Sequence, residues 1–172
     1  MSIPELGGAH ATLPEGCHQA TLEEIYQTFV VDAPHRAERD LMYRALVLYV
    51  DVLRTVFPTG RLWIDGGFVT HKLWRAPEDI DVVAVVPMTD YSNVCTNAAA
   101  MLPLMTLQHV SSREFAGTVP RLQAMGGLVD GFIVPDVEVQ TDYWADLWSR
   151  IKDRHGNPLP ETERKGFLEV TL

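Results

Sequence analysis

Two aspartates, Asp79 and Asp81, head the Val-rich run Ile80-Asp81-Val82-Val83-Ala84-Val85-Val86. Residues two apart on a strand share a face, so both carboxylates can grip one hard divalent cation, Mg2+ or Mn2+. Upstream, Gly66 and Gly67 follow directly on Leu62-Trp63-Ile64-Asp65. Glycines at a strand end let backbone N–H groups close on an anion, because no Cβ intervenes, and a helical turn starting there adds free donors. A phosphate seat, with carboxylates for the metal that neutralises the phosphates, supplies the parts that phosphoryl transfer needs. Each half alone is ordinary: Gly-Gly after a strand is usually a tight turn, and Asp-x-Asp is often a solvated strand entry. Their order and element context make the pair informative.

The elements that must position these residues read as follows. Thr21-Leu22-Glu23-Glu24 has the form of a capping box opening a short helix through about Phe29. Pro34 suits the first turn of a second helix to about Phe57, where Leu41, Ala45, Leu48, Val52 and Val56 recur at helical spacing and Leu46, Tyr49 and Leu53 widen the stripe. Pro58-Thr59-Gly60 stops it. A strand Arg61 to Asp65, the glycines, a helical turn through about Leu73 and a loop Trp74 to Glu78 lead into a strand Asp79 to Val86, closed by Pro87. Ser92 or Asn93 begins a helical region broken at Pro103. Strands are expected at about Leu128 to Val134 and Val137 to Gln140, then a helix Tyr143 to Lys152 capped by Asp142, with Trp144, Leu147, Trp148 and Ile151 on one face. Asp153 to Pro160 is turn-rich, and Gly166 to Leu172 reads as a final edge strand. The expected class is α/β (α+β): a small mixed sheet with helices packed against it, one domain over 1–172, its first twenty residues a surface arm.

Composition narrows the function. At 172 residues, 47% hydrophobic and 22% charged, the chain is neither disordered nor fibrous. A formal net charge of -9 is the wrong sign for gripping nucleic acid over a broad face. Tyr91 to Ser112 is uncharged but carries Asn93, Asn97, Pro103 and Gln108, which reads as a broken helix and not a membrane span. The opening residues lack the pattern of a secretory signal, so a cytoplasmic protein is expected, with Cys17 and Cys95 reduced and no zinc-type spacing.

On Gly66-Gly67, the spacer Phe68 to Glu78 and Asp79-Ile80-Asp81, the chain resembles the nucleotidyltransferase superfamily, the polymerase-beta-like proteins. Their signature is Gly-Gly or Gly-Ser, a spacer of about ten residues and Asp-hydrophobic-Asp. More of the chain is similar to one uncharacterised bacterial and phage family of such proteins. Leu13-Pro14-Glu15-Gly16-Cys17-His18, Thr21-Leu22-Glu23-Glu24 and Phe29 match its opening, and Asp65-Gly66-Gly67-Phe68-Val69-Thr70 its centre. Tyr143-Trp144 and Asp153-Arg154-His155-Gly156-Asn157-Pro158 match its closing segment. Two departures stand out. Gly67 replaces a commoner Ser, removing a hydroxyl that could bind phosphate, and Leu159 to Arg164 looks like an insertion.

The resemblance implies a third carboxylate on a neighbouring strand, able to complete a metal site and act as general base. Asp130 is the first candidate, because an acid inside Leu128 to Val134 is costly to bury without a cation or hydrogen-bond partner. Its plain alternative is an edge-strand Asp facing water. Glu138 is the runner-up and reads more naturally as a solvated residue. Lys72 could reach a phosphate, or be a solvated charge; His71 beside it reads as a surface histidine. Trp144, Leu147 and Trp148 could stack a nucleobase, or be core. Arg150, Lys152, Arg154, Arg164 and Lys165 form a local basic cluster for a polyanion, or complement a helix dipole.

What the resemblance implies is a Mg2+- or Mn2+-dependent transfer of NMP from an NTP to an acceptor hydroxyl. Asp79, Asp81 and Asp130 would hold the metal and carry catalysis, and Gly66, Gly67 and Lys72 would bind the nucleotide. The acceptor stays open among protein, tRNA and small molecule; the acidity favours protein or small molecule. The alternative is an inactive nucleotidyltransferase-like binding module with a protein partner, in a phage or toxin–antitoxin setting.

Overall fold

A computed structural model describes residues 3–96, 98–112 and 117–172. Seven strands and five helices are named in chain order. They are β1 (Gly16–Gln19), α1 (Leu22–Tyr26), α2 (Arg36–Val56), β2 (Arg61–Asp65), β3 (Ile80–Val86), α3 (Met88–Cys95), β4 (Leu107–Ser112), β5 (Gly117–Leu122), the short α4 (Ala124–Gly127), β6 (Val129–Pro135), α5 (Glu138–Ser149) and β7 (Gly166–Thr171). Five strands form one mixed sheet in the order β1-β7-β2-β3-β6, while β4 and β5 pair only with each other. In the large sheet β1 runs parallel to β7 and β3 parallel to β6, and β2 runs antiparallel to both neighbours. The fold is therefore a mixed α/β sheet with packed helices, as the alternation of elements led us to expect. No helix among the described residues is long and apolar enough to cross a membrane.

Strand alternation divides the sheet into two faces. Leu62, Ile64, Val82, Ala84, Val129, Ile133, Leu168 and Val170 point to the larger core, where α2 packs Met42, Leu46, Tyr49, Val50 and Leu53 against them. Each such fully buried side chain contributes roughly 1.5–3 kcal/mol. The opposite face carries Trp63, Val83, Val85, Val134 and Phe167 under Trp148 of α5. The candidate residues Asp65, Asp81 and Asp130 lie at the open end of this second face.

Several elements differ from their sequence reading. The capping box forms, with Glu24 N donating to Thr21 Oγ1, but α1 widens into a π-helical segment Gln27–Val31. Helix α2 starts at Arg36 after a left-handed His35, and Leu41 and Leu48 of the expected stripe are exposed. The residues that widened that stripe form the centre of its buried face. Strand β7 is interior, because β1 covers its outer edge; Gly166 N donates to Leu13 O, and Leu13 is buried, so part of the expected surface arm belongs to the sheet. Residues 137–140 are not a strand: β6 ends at Pro135 opposite Val86, and the chain turns directly into α5, which stops at Ser149 when Arg150 goes extended to bridge Arg164. Helix α3 begins at Met88, behind Pro87. The β4–β5 ribbon had no sequence signal, since Pro120 within β5 reads as a break; both sides of the ribbon's β5 are exposed, where a missing N–H costs little.

Candidate functional site

Register brings the acids together. Asp65 at the end of β2 lies opposite Asp81 on β3, and Asp81 lies beside Asp130 on β6. Adjacent strands stand about 4.8 Å apart, so three carboxylates form a row across one face. Asp79 precedes β3 by one residue and is close enough to Asp81 to act on its charge. Asp81 has no hydrogen-bond partner among the described residues. Burial first, then the charges of Asp79, Asp65 and Asp130, push its pKa up to about 7.

The glycine turn closes on this row. Gly66 has φ +82, and a Cβ there would lie 1.7 Å from Asp81 Oδ2, so only a glycine admits the carboxylate. Gly67 lies 3.6 Å from Pro77 by the same measure and has an ordinary φ. The residues after the glycines form turns and not the expected helical turn, so no helix terminus supplies free donors there. Instead the loop is clasped. Thr70 Oγ1 donates to Gly67 O at 2.8 Å, and Arg39 of α2, 0% exposed, donates to Phe29 O, Phe68 O and Thr70 O. Its guanidinium also sits 5.6 Å from the Phe68 ring, and no carboxylate among the described residues pairs with it. Burial lowers its pKa to about 10, still leaving it charged. We expect Arg39→Met to lower stability by about 3 kcal/mol or more, since three carbonyls lose their donor. Chemical denaturation checks this; an unchanged midpoint would remove the clasp from the account.

The remaining acids are partnered. Lys165 Nζ donates to Asp65 Oδ1; burial raises the Asp65 pKa, and Lys165 opposes that rise. Asp130, 5% exposed at its side chain, accepts from Thr106 Oγ1 at 2.6 Å and from Arg121. Gln123 Nε2 donates to Asp79 Oδ2.

Row and turn open into a cleft of about 590 Å³ that Asp65, Gly66, Gly67, Lys72, Asp81 and Asp130 share with Phe132, Trp144, Leu147, Lys152 and Lys165. Burial first, then Lys165, lowers the Lys72 pKa, and Asp65 opposes the change. Trp148 is core, but Trp144 stacks on Phe132 with ring centroids 4.7 Å apart and walls the cleft. Of the basic cluster, Arg150, Lys152 and Lys165 reach this cleft. Arg164 is held by Asp146 and Ser149, and Arg154 lines a second cleft of about 320 Å³, with Asp79, Trp74 and His155. His71 turns away: its Nε2 meets Thr28 O at 2.8 Å. Glu138 is exposed in the first turn of α5, outside the cleft.

Sequence reasoning missed Asp65, Arg121 and Gln123, and named Lys165 only within the basic cluster, not as a partner of the row. Asp65 carried a signal, because it abuts the glycines and, if β2 and β3 pair, falls opposite Asp81. The other three are joined to the row only by tertiary structure.

Four carboxylates, the donor type that hard divalent cations take, stand near one another at this turn. Hard oxygens crowd a pocket beside a glycine cradle, and Asp81 carries a like-charge burden that a cation would relieve. As the side chains stand, no three of His, Cys, Asp and Glu among the described residues form a group able to hold a metal. Asp130, Asp79 and Asp65 are each turned to a protein partner.

Fold and cleft define a mixed α/β protein with an acidic row facing a glycine turn. The chain belongs to the family described as a family of unknown function (DUF6932), which matches it over residues 5–171. No curated protein matches the chain, and no solved structure matches it.

Proposed function

We propose that this cleft carries out metal-dependent nucleotidyl transfer from an NTP to an acceptor hydroxyl. The observation that carries the reading is the in-register row Asp65-Asp81-Asp130 beside the Gly66 turn, with Asp81 unpartnered among the described residues. Asp79, Asp81 and Asp130 would hold Mg2+ or Mn2+, with Asp65 adjoining. When bound, the cation supplies neutralisation of the triphosphate charge. The backbone at Gly66 and Gly67, with Lys72, Lys152 and Lys165, faces the phosphates, and Trp144 with Phe132 offers a wall to a base. In the reaction the acceptor oxygen bonds to the α-phosphorus as the bond to the β-phosphate oxygen breaks. Pyrophosphate departs with that electron pair, and the hydroxyl proton passes to a carboxylate of the row. The cytoplasm, which holds Mg2+ and NTPs, is the compartment this chemistry calls for.

The test is to incubate the pure protein with each α-labelled NTP, Mg2+ or Mn2+, and host lysate, and to follow label into protein, tRNA and small-molecule fractions. Label in one fraction names the acceptor. None, with every NTP, favours the second reading, a nucleotidyltransferase-like module acting on a protein partner by contact. The partnering of Asp65, Asp79 and Asp130 by the protein's own side chains is the observation on that side.

A further inference from the structure

The β4–β5 ribbon holds two of the acids. Arg121 at the end of β5 donates to Asp130, and Gln123, two residues on, donates to Asp79. A guanidinium thus occupies the acidic row where a cation would bring its charge, and an amide engages the acid next to it. All six residues of β5 are exposed, the ribbon pairs with no strand of the main sheet, and a two-stranded ribbon is marginal by itself. At its far side the chain passes through Met125, Gly126 and Gly127, all at positive φ, before entering β6. Met125 is strained there, and the three residues make the tight connection between Ala124 and Val129, which bridge each other. At the near side Thr106 is fixed to β6, its N–H donating to Gly131 O at 2.8 Å and its hydroxyl accepting from Gly131 N at 3.1 Å. Both ends are anchored, the near one through Thr106 and the far one through Ala124, which is buried in the core and bridges Val129; the exposed strands lie between them.

We propose that Arg121 is an internal counter-cation that latches the acid row, so that metal entry and release of the β4–β5 ribbon are one event. The proposal rests on the metal reading above and adds its regulation. In the latched state Asp130 and Asp79 point at the ribbon; when Arg121 and Gln123 withdraw, Asp79 is freed and Asp130 keeps Thr106 on one oxygen while its other oxygen becomes available beside Asp81. Arg121, carried on the ribbon's edge, is then an exposed cation beside a cleft that takes an anionic substrate. Metal affinity is reduced by the fraction of molecules that are latched, so a state roughly nine-tenths populated weakens binding about tenfold.

The experiment uses the whole chain and Mn2+ alone as probe, with free Mn2+ read by its paramagnetic resonance signal, in wild type, Arg121→Gln, Arg121→Lys and Asp81→Asn. Arg121→Gln should bind Mn2+ about tenfold more tightly than wild type, Arg121→Lys should remain near wild type, and Asp81→Asn should lose binding. Removing a positive charge would tighten binding even without movement, so a second readout decides: hydrogen exchange of the wild type with and without saturating Mg2+. Faster exchange of β4 and β5 amides on adding Mg2+ supports the latch. Unchanged or slower exchange, or Arg121→Gln binding no tighter than wild type while Asp81→Asn abolishes binding, overturns the latch and leaves the metal site standing. No Mn2+ binding by either wild type or Arg121→Gln overturns both.

Discussion

Asp81→Asn is expected to melt at a higher temperature than the wild type at pH 8 in EDTA, and to have lost nucleotide transfer by about three orders of magnitude or more. The stability half follows from linkage. Without metal the folded protein holds the Asp81 pKa up to about 7, mainly through burial and then its acidic neighbours. In the unfolded chain the group titrates near the ordinary aspartate value. Well below that value both states are protonated and Asp81 contributes nothing. As pH rises from there to about 7, the unfolded state gives up a proton that the folded state keeps, so stability falls; above the folded pKa the full penalty is present. At roughly 1.4 kcal/mol per pKa unit the penalty amounts to about 2–4 kcal/mol, allowing for relaxation. In a chain of this length that is roughly 5–10 °C of melting temperature. The Asn side chain removes the charge and keeps the shape, so the two melting curves should separate at pH 8 and converge near pH 4. Mg2+ should raise the wild-type melting temperature and leave the variant unmoved. A variant melting at or below wild type at pH 8 would contradict the crowded-row account. Full transfer activity in the variant would end the catalytic reading.

Gly66→Ala should move stability the other way. At φ +82 an alanine is strained, and its Cβ would meet Asp81 Oδ2 at 1.7 Å and Cγ at 2.8 Å. The carboxylate must swing out of a row in which Asp65 and Asp130 already stand on either side. Strain and displacement together should cost about 1–3 kcal/mol. Transfer should fall at least about a hundredfold, because the carboxylate and the backbone amides lose their mutual placement. Gly67→Ala is the stability control: its Cβ would make only ordinary contact with Pro77, so its melting temperature should equal the wild type's. Thermal melts and a labelled-NTP assay on the three proteins check the pattern. If Gly66→Ala keeps both wild-type stability and activity, the close approach of turn and carboxylate is not part of the site.

How far the site could be read in advance depended on the distance over which each residue's partners act. Asp81, Gly66 and Gly67 lie within one hairpin-like stretch, where strand pairing and the glycine backbone bring Asp81 against Gly66; Asp79 stands one residue before β3 and lines the second cleft, so the two-residue spacing did not put it on the face of Asp81. Asp130 was legible by a different route: an acid within Leu128 to Val134 demands a partner, and it has two, in Arg121 and Thr106. Which partners those are could not be read, because they come from a ribbon whose Pro120 and exposed pattern resemble a loop. Lys72 was placed by proximity to the glycines; Lys165 was not singled out for the row, being 100 residues from Asp65.

By itself, then, the sequence determined what is local. The capping box, the long α2, the β2–turn–β3 unit and the amphipathic α5 all follow from side-chain periodicity, caps and glycine conformation, which act within a few residues. Tertiary structure decided what depends on lateral neighbours. It placed β7 inside the sheet because β1 covers its edge, turned 138–140 into helix because β6 ends at Pro135, and aligned Asp65, Asp81 and Asp130 through strand register. Register is a property of paired strands, shifting every side chain to the other face with a slip of one residue, and no single segment carries it. For the same reason Arg39, buried beneath the glycine loop, and Arg121, exposed on β5 against the buried Asp130, acquire their roles only where distant segments meet.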